Sequence, residues 1–152
     1  MKSYSICVEN PCHAGIELLI EALNTEIDSM TPPETNTKMS LQDMDNDYTT
    51  VLVARSNGVA VACGAIVFHN LEIAEIKRMY TKPEFRGIGI SRAILIKLEN
   101  LAKTTGMKTL VLETGYNYTA AITLYTKLGW VECQPILDYK PNPYSKFFEK
   151  VL

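Results

Sequence analysis

Along the chain the apolar positions change period several times, and each change marks an element. Tyr4 to Glu9 alternates weakly, as a short first strand does. Asn10-Pro11 then reads as an N-cap with proline at the first helical position. Ile16, Leu19, Ile20, Leu23 and Ile27 follow as one apolar stripe at helical spacing. From Met30 to Gln42, Pro32-Pro33 and several Thr and Asn residues stop any helix, so an exposed, mobile loop is expected, with a short helix near Leu41 to Asp45. Thr49 to Arg55 and Val59 to Phe68 are strand-like runs joined through Ser56-Asn57-Gly58, a hairpin signal. A second turn at His69-Asn70 leads into Leu71 to Thr81. Ile90, Ala93, Ile94, Leu98, Leu101 and Ala102 return to helical spacing, and Gly106 is placed to end that helix. Lys108 to Glu113 is β-rich, and Ala121, Leu124, Tyr125 and Leu128 mark another helix stopped by Gly129. Trp130 to Leu137 and Tyr144 to Leu152 read as closing strands.

The predicted order is β-α-loop-β-β-β-α-β-α-β-β. Hairpins make the second to fourth strands antiparallel, and the crossover through the Ile90 helix sets the fourth and fifth parallel. The expectation is one α/β domain over residues 1–152, with a mixed α+β sheet. Its 47% hydrophobic and 21% charged residues exclude disorder. Fifteen Lys and Arg against seventeen Asp and Glu leave a charge of −2, which offers nucleic acid no special attraction. The strongly apolar run Val59 to Phe68 is far short of the ~20 residues of a membrane helix. No apolar segment follows Lys2 as in a secretory signal, so a soluble cytoplasmic domain is expected. Cys7, Cys12, Cys63 and Cys133 form no CxxC pair, and Cys12-His13 completes no tetrahedral set, so neither metal nor disulfide is expected.

The chemistry concentrates in Ala74 to Ser91, which runs strand, turn with Gly87 and Gly89, then helix. That order aims backbone N–H groups and the positive end of a helix dipole at one point, a site for a phosphate or pyrophosphate. Arg86 can add a charge-assisted hydrogen bond to such an anion. The stretch is neither GxxxxGK[ST] nor GxGxxG.

With its surroundings, this segment resembles the GNAT superfamily of acyl-CoA-dependent N-acyltransferases. The family's [Q/R]-x-x-G-x-[G/A] appears as Arg86-Gly87-Ile88-Gly89-Ile90-Ser91, with Ser91 a small residue in the last place. Its second block, A-x-x-L-Y-x-x-x-G-[FYW], appears as Ala121-Ile-Thr-Leu-Tyr125-Thr-Lys-Leu-Gly129-Trp130. The resemblance implies acetyl-CoA as co-substrate, with its pantetheine arm entering between splayed fourth and fifth strands. Backbone groups at Met79, Tyr80 and Thr81 would then bond the pantetheine amides, and Arg86, Gly87, Ile88, Gly89, Ile90 and Ser91 would hold the pyrophosphate. The family often has Asn seven residues before its Tyr; here Tyr118 stands there and Asn117 is adjacent.

The resemblance further implies direct attack by an acceptor amine, with Tyr125 protonating the departing thiolate. An alkylamine has a pKa near ~10.4, so a proton must leave before attack. Glu75 matches the glutamate base of histone-acetylating members, and Glu72 competes with it. By period-two alternation Glu75 shares a strand face with Lys77, Met79 and Thr81. Otherwise Glu75 is a solvated residue paired with Lys77 or Arg78. Trp130 and Phe147-Phe148 read as core, whereas the Asp138 to Tyr144 loop and the Met30 to Asp47 segment are expected to wall the acceptor pocket. The acceptor is expected to be a small amine or amino-acid-like compound, with a peptide amine or a non-catalytic acyl-CoA sensor as rivals, and a homodimer is possible.

Overall fold

A computed structural model describes residues 2–36 and 38–152; Thr37, inside the expected loop, and Met1 lie outside them. The elements are β1 (Ser5–Glu9), α1 (Ile16–Met30), α2 (Leu41–Met44), β2 (Thr49–Ser56), β3 (Val59–Phe68), β4 (Ile73–Thr81), α3 (Ile90–Thr104), β5 (Thr109–Gly115), α4 (Thr119–Lys127), β6 (Val131–Cys133) and β7 (Ser145–Val151). One seven-stranded sheet runs β1-β2-β3-β4-β5-β7-β6, antiparallel except for the parallel β4–β5 pair. This is the mixed sheet the sequence predicts. The Asn57-Gly58 turn takes positive φ at both residues (50° and 79°), as a tight hairpin connection requires.

Helices α3 and α4 cover one face of the sheet. Ile90, Ile94, Leu95 and Leu98 pack there with Ile66, Ala74, Ile76, Leu110, Leu112, Tyr125, Trp130 and Phe148. Helix α1 covers the other face through Ile16, Leu19, Ile20 and Leu23, against Val51, Val53, Cys63, Ala65 and Tyr80. Trp130, Phe147 and Phe148 are core residues, as read from the sequence. No helix among the described residues is long and apolar enough to cross a membrane.

Three expected boundaries move. Helix α1 is capped by Gly15 at φ 87°, not by Asn10, because the Asn10 carboxamide instead accepts from the Cys12 N–H in a local turn. The first closing strand, expected over Trp130 to Leu137, shortens to Val131–Cys133, since Pro135 has no N–H for the ladder and Leu137 sits at φ 50°. The segment after α1 is folded down rather than an exposed loop: Thr31 is buried, its hydroxyl joins Ile27 and Asn36, and Lys38 pairs with Asp28. The short helix near Leu41 is present and carries a Ser40–Asp43 capping box.

One irregularity shapes everything downstream. The β3–β4 register jumps from Cys63↔Tyr80 to Ala65↔Lys77, so β4 carries an extra residue, and Arg78 sits at φ 56°. Gly64 faces this bulge: a Cβ there would overlap the Met79 sulfur and lie 2.8 Å from Ile94 Cγ2. Gly64→Ala is therefore expected to destabilise the fold by about 1–3 kcal/mol, read as a melting temperature several degrees lower.

Candidate active site

The site begins where β4 and β5 part. Their pairing covers only Ile73↔Thr109, Ala74↔Leu110 and Glu75↔Val111. Beyond Glu75 the bulge bends β4 away, leaving one backbone edge of Ile76 to Thr81 without a strand partner. A cleft of about 850 Å³ fills the opening, a volume suited to a cofactor-sized molecule. It is bordered by the C-terminal half of α1, the outer part of β4, the starts of α3 and α4, and the end of β5.

The bulge also overturns the simple alternation. Ala74 and Ile76 pack under α3, with Glu75 and Lys77 on the opposite face reaching Tyr139. Past Arg78 the sense reverses: Met79 joins the α3 core and the Thr81 hydroxyl bonds Ser91, whereas Tyr80 joins the α1 cluster. Glu75 and Lys77 thus share a face with each other but not with Met79 and Thr81.

At one end of the cleft lies the glycine turn. A single 3-10 turn, Pro83–Phe85, leads into Gly87 (φ 81°) and Gly89 (φ 88°), and Gly89 caps α3. These left-handed angles are what glycine supplies. Among the described residues no acceptor takes the N–H groups of Gly87, Ile88, Gly89, Ile90, Ser91 or Arg92. Six donors at a helix N-terminus are therefore left without a protein acceptor, an arrangement that suits a diphosphate. Ser91 is engaged with Thr81 at 2.8 Å and ties the helix start to the strand end. The Arg86 guanidinium is not free: Nε donates to the Thr81 carbonyl, Nη2 to Glu26, and its Cζ lies 5.5 Å from the centre of the Tyr80 ring. Arg92 and Lys127, also on the cleft wall, are cations that the motif reading missed.

Deeper in lie the titratable groups. Tyr125 is 6% exposed, its ring 5.9 Å from Trp130 and 6.1 Å from Phe148. Its hydroxyl makes no hydrogen bond among the described residues, and the residue borders the cleft. Burial pushes its pKa up to about 12. Glu75 is 2% exposed rather than solvated; it accepts from Tyr139 at 2.6 Å, contacts His69 at 2.8 Å and has Lys77 at 3.7 Å. Glu72 lies elsewhere, on the surface, paired with Lys108, which holds its carboxyl below the usual range.

The reading from sequence missed Glu113. It borders the cleft from β5, and burial raises its pKa, with Ser145, Lys77 and Arg78 partly offsetting the shift. Its signal was weak: one acid at the end of the β-rich run, on the same side as Val111. Asn117 lines the cleft, but its amide nitrogen donates to the Met30 carbonyl, and its Oδ1 is buried without a partner. Tyr139, Tyr144, Met30 and Asn36 are also on the wall, so both expected segments contribute.

Sequence and structure comparisons agree with this geometry. The profile of the acetyltransferase (GNAT) family matches residues 17–130. An IAA acetyltransferase from Azospirillum brasilense is 36% identical over the whole of both chains. A Klebsiella pneumoniae protein, assigned as an acyl-CoA N-acyltransferase, is 35% identical; its crystal structure superposes with a TM-score of 0.82 over 98% of this chain and 97% of its own. A GNAT acetyltransferase from Elizabethkingia anophelis, solved with acetyl-CoA bound, shares the fold at 19% identity and a TM-score of 0.68, covering 98% of each chain. With a profile match over three-quarters of its length and such a relative end to end, the chain belongs to the GNAT acetyltransferase family and is an acyltransferase.

Proposed function

We propose that residues 1–152 act as one N-acetyltransferase domain, moving an acetyl group from acetyl-CoA to the primary amine of a small or amino-acid-like acceptor. The observation that carries this is the run of amides from Gly87 to Arg92 with no acceptor among the described residues, at the border of the same cleft that Tyr125 lines. Those amides would hold the diphosphate, and the edge of β4 that has no strand partner at Met79, Tyr80 and Thr81 would take up the pantetheine amides. When bound, acetyl-CoA supplies a thioester whose acyl carbon takes the amine nitrogen as its C–S bond breaks, leaving a thiolate. The relative named as an IAA acetyltransferase supports acetyl as the group moved.

Each titratable group then has a task. Both Glu75 oxygens are already occupied by Tyr139 and His69, so Glu75 serves to hold Tyr139 and Lys77 in place. Glu113 takes the proton from the acceptor ammonium, work that its burial-raised proton affinity favours. Tyr125, kept protonated by burial, donates a hydrogen bond to the sulfur as negative charge develops there.

Purified protein mixed with acetyl-CoA and a panel of amines should release free thiol, and CoA should bind by calorimetry; folded protein that binds no CoA would sink the reading. A pH profile tests the base. Because Glu113 must be ionised to act and its pKa lies above the ordinary 4.5, kcat/KM should climb with pH through that raised value. Glu113→Gln should abolish this limb and lower the plateau by about 100-fold, whereas an unchanged limb would return the role to Glu75 or water.

A further inference from the structure

Arg78 is a buried charge that the reaction proposed above does not use. It sits in the β4 bulge at a left-handed φ of 56°, a conformation disfavoured for a residue with a long side chain. It is only 8% exposed, yet it borders the cleft. Nη1 donates to Asn24 Oδ1 at 2.7 Å and to the Met39 carbonyl at 3.3 Å, both neutral acceptors. Nε and Nη2 make no hydrogen bond among the described residues, and none of the ion pairs found there includes Arg78. A buried guanidinium without a counter-charge is costly, and burial accordingly depresses its pKa. The free Nε–Nη2 side of a guanidinium is one of its two-pronged edges, matched to a carboxylate.

We infer that the acceptor carries a carboxylate close to its amine, and that Arg78 is the residue that selects it. This rests on the acetyl-transfer reading above. Arg78 and Glu113 both border the cleft, from β4 and from β5, and no ion pair among the described residues joins them. A zwitterionic amino acid in the cleft would then turn its carboxylate to the Nε–Nη2 edge of Arg78 and its ammonium to Glu113. Asn24 and Met39 hold the other edge, fixing the fork before any ligand arrives.

The test compares L-amino acids with their carboxamides as acceptors, by thiol release and by calorimetry on CoA-saturated protein. The carboxamide amine is the weaker base and is more deprotonated at neutral pH, so any preference for the free acid is not a nucleophile effect. Wild type should favour free acids by on the order of 10- to 100-fold in kcat/KM. Arg78→Gln should erase that preference by losing activity toward acids alone, with CoA affinity unchanged, and Arg78→Lys should restore part of it. Equal use of acids and carboxamides by wild type, or an equal loss on both in Arg78→Gln, overturns the inference. Should the variants not fold, the wild-type comparison decides alone. With no thiol release from any acceptor, absent CoA binding overturns the acetyltransferase reading itself, whereas intact CoA binding with no amino acid bound overturns only the role of Arg78.

Discussion

Tyr125→Phe is expected to lower kcat by about 100-fold while leaving the dissociation constant for CoA and the melting temperature close to those of wild type. The expectation has two parts. The ring is held by Trp130 and Phe148, and phenylalanine keeps that packing. The hydroxyl has no partner among the described residues, so removing it strands no protein donor or acceptor. On the proposed reading, what the variant loses is the proton that the phenol, with its pKa raised to about 12 by burial, would offer to the departing sulfur. A kcat within a few-fold of wild type would leave Tyr125 as a core residue and nothing more. Steady-state kinetics beside CoA titration separates the outcomes, because a folding defect would move both.

Gly89→Glu should weaken CoA binding by about 100-fold or more. At φ 88° any side chain strains the turn, by about 1–2 kcal/mol, although a Cβ there meets nothing within 4 Å. The carboxylate adds the larger effect, placing negative charge beside the amides that a diphosphate would use. Gly89→Ala is the control: it carries the strain without the charge and should cost less than about 10-fold in affinity. Calorimetry with CoA reads both. If Glu and Ala weaken binding equally, the turn is only a connection and the diphosphate sits elsewhere.

The parts of the fold that local chemistry dictates were legible in the sequence. Asn57-Gly58 specifies its hairpin by itself, and the stripes from Ile16 and from Ile90 become the buried faces of α1 and α3. The parallel pair followed from the single helical crossover, and the glycine turn from its spacing. The bulge did not. Arg78 takes a glycine-like φ with no glycine to announce it, held by contacts to Asn24 and Met39, residues 54 and 39 positions away. Every facing assignment beyond it was therefore inverted, which is why Glu75 parts company with Met79 and Thr81. Glu113 was hidden for a related reason: its importance comes from the strand lying across the opening, not from its neighbours in the chain. The folded-down segment after α1 likewise depends on Thr31, Asn36 and Lys38 finding partners that composition does not reveal.

The Asn117 amide, donating to the Met30 carbonyl, acts as a crossbar. The three residue pairs between β4 and β5 close the wedge at its apex, and this bond spans its far side, joining the β5–α4 connection to the end of α1. Breaking that bond would remove about 1 kcal/mol of restraint on how far the two sides of the wedge can part.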